Sequence, residues 1–110
     1  MKVHLIKKQT IADYTEKNAQ SKEPFEFWLN IIKYVDWNQP GDIISTFRTA
    51  DLLGRGAGRV VFNIGGNKYR MICKYYFGNS QVHLFIKWIG THAEYTKLCD
   101  AGSQYDVNDY

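Results

Sequence analysis

The stretch VVFNIGGNKYRMICKYYF, residues 60–77, decides the fold. β-branched and aromatic residues fill both flanks, and Gly65-Gly66-Asn67 separates them. Glycine and asparagine reach positive φ at little cost, so these residues predict a tight hairpin between strands 60–64 and 68–77. Gly78-Asn79-Ser80 then turns the chain into a third strand, residues 82–89. Gly90 ends that strand and Thr91 opens a closing helix.

Side chains alternate between the two faces of a strand. Tyr69, Met71, Cys73, Tyr75 and Phe77 therefore share one face with Phe62 and Ile64, joined by Val82, Leu84, Ile86 and Trp88. The opposite face carries Asn63, Lys68, Arg70, Lys74, His83 and Lys87, with Ile72, Tyr76, Phe85 and Ile89 among them. Asn63 and Arg70 fall on that second face whether the turn centres on 65–66 or 66–67. The first face reads as a core surface. On the second, cations can grip phosphates and rings can stack on bases, as single-stranded nucleic acid requires. A solvated outer face is the plainer alternative.

The N-terminal half reads as a strand at residues 3–6 followed by helices. Thr10 and Asp13 mark the start of one helix, which runs to about residue 18. Ser21 is the expected cap of a second, over residues 21–37, and Pro24 is tolerated in its first turn. Phe25, Trp28, Leu29, Ile32 and Val35 recur along it at helical spacing, and Phe27, Ile31 and Tyr34 form a second stripe. A short helix is expected at residues 42–47, then a glycine-rich loop at 54–58 that fits neither Walker A nor GxGxxG. The whole is an α+β domain over residues 1–100, with a small antiparallel sheet, two N-terminal helices on one face and a short C-terminal helix. The acidic stretch 101–110 is expected to fray.

At 110 residues, with 45% hydrophobic and 23% charged side chains, the chain is an ordinary globular domain rather than a disordered or fibrous one. No apolar run is long enough to cross a bilayer, and residues 1–8 contain no signal-peptide h-region, so a cytoplasmic protein is expected. Cys73 and Cys99 make no disulfide framework, and nothing has the spacing of a zinc site; no metal or cofactor is expected. The net charge is only +3, but residues 48–74 hold six basic side chains against Asp51 alone. That asymmetry suggests a polyanion partner.

Thr91-His92-Ala93-Glu94-Tyr95 is the chemically suggestive segment. Thr91 with Glu94 makes a capping box, and Tyr95 lies one turn above His92 on the same side. Free amides of that first turn form a natural phosphate cradle. No Ser-His-Asp triad, paired-carboxylate site or HExxH helix is present.

FNIGGNKYR at 62–70, followed by GTHAEY at 90–95, resembles the HigB-type toxins of bacterial type II toxin–antitoxin systems, within the RelE-like group of mRNA interferases. The similarity is most specific over residues 60–98 and covers most of the chain in element order. It implies a RelE-like fold that cleaves mRNA without metal, at the ribosome, and is silenced by a cognate antitoxin. A helix-turn-helix antitoxin is expected, with operator DNA reached only through it. The resemblance assigns Arg70 and Lys87 to the charge on phosphorus, His92 to proton exchange, and Tyr95 to orienting His92 or assisting proton transfer. Arg59, Asn63, Lys68 and Lys74 would hold the RNA. Thr96 stands where the family commonly has an acidic residue, so no carboxylate role is carried over to that position. Two rival readings use the same fold: an RNA- or ribosome-binding module without catalysis, and a protein-interaction domain docking through helix 21–37.

Overall fold

In the computed structural model, which describes residues 1–110, the chain runs β1 (Lys2–Ile6), α1 (Lys8–Lys17), a 3-10 turn (Ala19–Ser21), α2 (Lys22–Ile32) and α3 (Gly41–Thr46). It continues through β2 (Asp51–Leu52), β3 (Arg59–Ile64), β4 (Tyr69–Phe77), β5 (Gln81–Thr91) and α4 (His92–Asp100), and closes on a 3-10 turn (Ser103–Tyr105). The strands form one five-stranded sheet in the order β1-β5-β4-β3-β2. The domain is α+β. The sheet is mixed, however, because β1 pairs parallel with β5 while every other pairing is antiparallel.

Ile64 pairs with Tyr69 and Asn63 with Arg70, so the β3–β4 turn centres on Gly66-Asn67. Gly65 and Gly66 both take positive φ (65° and 68°), the conformation that makes glycine fit there. On one side of the sheet lies the main core. Phe25, Trp28 and Ile32 of α2 pack onto Phe62, Met71 and Leu84 of the strands. The Trp28 ring sits 5.1 Å from that of Phe62 and stacks on Phe47 at 5.8 Å. The second stripe of α2 remains outside, with Phe27 58% and Tyr34 81% exposed.

Helix starts differ from expectation in detail. α1 begins at Lys8, so Thr10 is buried inside its first turn rather than capping it. The Ser21 hydroxyl donates to the Asn18 carbonyl at 2.6 Å instead of accepting from a helix amide. α2 ends at Ile32, five residues short of the expected span, while Val35 and Trp37 still reach the core from the following segment.

The consequential difference lies in β5. Ile72 pairs with Trp88 but Cys73 pairs with Ile86, so Lys87 is an extra residue, a bulge. The bulge shifts the alternation by one. Ile89 joins the main core, and Trp88 turns to the opposite face, where it forms a second buried patch with Val61 and Ile72. Tyr95 and Leu98 of α4 and Val107 beyond it cover that patch, so the second face is not an open surface along its length. Nor does the strand stop at Gly90, since β5 runs through Thr91.

Residues 101–110, expected to fray, lie against the sheet. Arg59 Nη1 donates to the carbonyls of Gln104 (3.3 Å) and Val107 (2.8 Å), and the Asp109 amide donates to the Lys87 carbonyl at 2.9 Å. Tyr110 flanks a small cavity with Ile6, Lys7 and Phe85. Buried apolar patches and charged strand residues hold down a tail whose composition alone suggests disorder.

Candidate active site

The extension of β5 sets the geometry. Arg70 pairs with Gly90 and Tyr69 with Thr91, after which the His92 amide donates to the Lys68 carbonyl at 3.0 Å. Helix α4 therefore begins beside the 65–68 turn. Its capping box forms as expected: Glu94 N–H donates to Thr91 Oγ1 (3.2 Å), and Thr91 N–H donates to Glu94 Oε1 (2.8 Å). These bonds use the amides of His92 and Glu94 and bring a carboxylate to the helix start. The open phosphate cradle expected there is thus largely filled. Gly90 is required by close approach, because a Cβ on it would lie 2.5 Å from the Trp88 ring and 3.0 Å from Glu94 Oε1.

Arg70 is 7% exposed. Its Nη1 donates to the Tyr69 carbonyl at 3.1 Å and its Nη2 more weakly to Asn67 Oδ1 at 3.4 Å. Asn63 lies directly across from it. Tyr95 stands over the Trp88 ring, with centroids 6.0 Å apart. Burial pushes the Tyr95 hydroxyl well above the usual phenol range; Cys99 and Asp51 add to this, and the positive charge of Arg70 opposes it. The hydroxyl is therefore protonated at neutral pH. His92 is exposed one turn before Tyr95, and Lys68, whose carbonyl accepts from the His92 amide, is exposed as well.

Arg70, His92, Tyr95, Lys68 and Asn63 are thus gathered at the turn end of the sheet. Lys87, Lys74 and Arg59 are not. Lys87 lies beyond the Ile72–Trp88 pair, where its Nζ donates to Asn108 Oδ1 (3.1 Å) and sits 5.7 Å from the Phe85 ring. Lys87 thus lies three residues along β5 from Gly90, the partner of Arg70, and is drawn toward the C-terminal segment. Arg59 is 6% exposed and engaged with tail carbonyls, and desolvation lowers its pKa; it is not free to grip RNA. Lys74 is exposed and pairs with both Arg59 and Phe85, at the far side of the tail.

Two contributors were not visible in the sequence. Unbroken alternation places Trp88 in the main core, whereas it forms the shelf beneath Tyr95. Asn67, read only as a turn residue, orients Arg70. An Asn three positions before Arg70, at the hairpin turn, was the available signal. Cys73 and Cys99 are free thiols, Cys73 in the main core with its pKa raised by burial and Cys99 beside Tyr95. No three His, Cys, Asp or Glu side chains converge to hold a metal ion.

The family profile described as HigB toxin, the RelE-like toxic component of a toxin–antitoxin system, matches residues 21–98. The chain is 28% identical over 96 residues to the mRNA interferase HigB of Escherichia coli O6:H1 (strain CFT073), covering 87% of this chain and 91% of that protein. It is also 28% identical over 93 residues to the mRNA interferase toxin HigB of Escherichia coli K12, covering 84% and 88%, and equally so to the mRNA interferase HigB of Shigella flexneri. The matched span contains the 65–68 hairpin and the start of α4, which together build the corner just described. The chain belongs to the HigB family of RelE-like toxins, the toxic half of a toxin–antitoxin pair.

Proposed function

We propose that the chain is an mRNA endonuclease that works without metal on ribosome-bound message in the cytoplasm. Its cognate antitoxin is a helix-turn-helix protein that alone contacts operator DNA. The observation that carries the reading is the meeting of Arg70, His92 and Tyr95 at one corner, in a chain similar to proteins named mRNA interferase. There the ribose 2′-oxygen attacks the adjacent phosphorus, leaving a 2′,3′-cyclic phosphate and a free 5′-hydroxyl. His92 takes the 2′-proton. Tyr95, protonated at neutral pH, gives a proton to the departing 5′-oxygen. Arg70 stabilises charge on the phosphoryl oxygens once it exchanges its 3.4 Å bond to Asn67 for the phosphate, and Lys68 and Asn63 hold the neighbouring backbone. Lys87 and Arg59 have no part in this arrangement.

The test is mRNA cleavage by purified protein in a translation extract, with and without ribosomes, with the product ends identified. Cleavage that needs ribosomes and leaves 2′,3′-cyclic phosphate and 5′-hydroxyl ends supports the proposal. Products with 5′-phosphate and 3′-hydroxyl ends, those of metal-assisted hydrolysis, would end the metal-independent chemistry, and intact message under both conditions would end the nuclease reading. One observation favours binding without cleavage: Arg70 is nearly buried in the free protein. Steep salt-dependent RNA binding with intact RNA would establish that alternative.

A further inference from the structure

The open end of the second face, on the far side of the tail from α4, carries a patch that the cleavage corner does not use. His4, His83 and Tyr76 lie in register across β1, β5 and β4. Their rings adjoin: His4 to His83 at 5.6 Å and Tyr76 to His83 at 6.1 Å, with Phe85 next along β5 at 6.3 Å from His83. Tyr76 is 63% exposed. Lys74 pairs with Phe85, Lys2 lies at the edge, and Lys87 reaches over the Phe85 ring at 5.7 Å.

Antiparallel sheets that face water usually present polar side chains there. Here four adjoining rings take that place, ringed by lysines and with no acidic side chain on β1, β4 or β5. The geometry points to a stacking platform for an unstructured stretch of RNA, His4–Tyr76–His83–Phe85, with Lys2, Lys74 and Lys87 taking the phosphates. Aromatic faces accept any base, and the cations match the backbone charge, so the site binds without strong sequence preference. Acidic protein segments would find the lysines but leave the exposed rings without planar partners. Tyr76 lies six residue steps along β4 from Arg70, about 20 Å at strand spacing. The platform therefore holds RNA away from the bond that is cut. It raises affinity for message rather than the rate of the chemical step.

This inference rests on RNA being the substrate, as proposed above. The experiment measures binding of an unstructured, fluorescently labelled oligouridylate of about 12 nucleotides, a length within single-strand site sizes. In parallel, kcat and KM for mRNA cleavage are compared for wild type, Tyr76→Ala, Tyr76→Phe, His83→Ala and His92→Ala. Tyr76→Ala and His83→Ala should weaken binding roughly tenfold and raise KM with kcat unchanged, and Tyr76→Phe should bind like wild type. His92→Ala should bind normally and fail to cut. Tyr76 is solvent-exposed, so the melting temperatures should match. Unchanged binding and KM in Tyr76→Ala and His83→Ala, with cleavage intact, would overturn the platform and leave the nuclease reading standing. Wild-type protein that neither binds nor cuts RNA would overturn both.

Discussion

Tyr95 and Tyr14 are the residues whose ionisation the fold alters most legibly. Burial, aided by the charges of Glu94, Tyr69 and Tyr110, pushes the Tyr14 hydroxyl up to about 12, and Tyr95 moves in the same direction. A phenol ionises near 10 in the unfolded chain. Between pH 10 and 12 the unfolded state therefore loses protons that the folded state keeps, and stability falls as pH rises through that window. Urea midpoints should begin to fall above pH 8 as the buried Cys73 thiol ionises in the unfolded chain, fall further between pH 10 and 11, and fall less over that second interval in Tyr14→Phe. A midpoint flat to pH 11 would contradict the burial of both hydroxyls. Gly90 is the other residue on which the corner depends. Gly90→Ala would drive a methyl into the Trp88 ring and should cost about 1–3 kcal/mol, read as a lowered melting temperature.

At the scale of elements, local chemistry was legible where it acts over a few residues. The glycines of the 65–68 turn, the apolar stripe of α2 and the Thr91–Glu94 box each carry their own signal, and each forms. The shared face of Asn63 and Arg70 followed from the turn, while their direct pairing is set by the register centred on Gly66-Asn67, one of the two that the turn allowed. What escaped depends on contacts between distant segments. Nothing in HLFIKWIG announces that Lys87 bulges, since the run alternates acceptably without one. The bulge pays off only when α4 and Val107 arrive to bury Trp88. The parallel pairing of β1 and the docking of residues 101–110 are long-range in the same sense. Deleting Lys87 would remove the extra residue yet leave Cys73–Ile86, Ile72–Trp88 and Met71–Ile89 paired, so Trp88 stays under α4 and Ile89 in the main core. The expected result is cooperative unfolding with the wild-type near-ultraviolet circular dichroism of the buried tryptophan. Loss of that signal would contradict Lys87 as the extra residue.

For the whole molecule, the second face divides into three regions: the corner at the start of α4, the tail-covered middle, and the aromatic end. That division explains why the six basic side chains of residues 48–74 do not act as one surface. Arg59 and Arg70 are buried, so the electrostatic footprint is smaller than the count suggests. About three freely placed lysines should give a slope near −2 for the logarithm of RNA affinity against that of salt concentration. A slope near −3 would mean that the tail lifts and releases Arg59 as well.

The central claim is that the Arg70–His92–Tyr95 corner cuts RNA. Its most direct test is the single-turnover cleavage rate of message in a translating extract, with product ends identified, for wild type against His92→Ala. His92 is exposed, so the substitution leaves the fold intact. The account predicts cyclic-phosphate ends from wild type and a rate roughly 100-fold lower or less from the variant. Equal rates from the two proteins would contradict it.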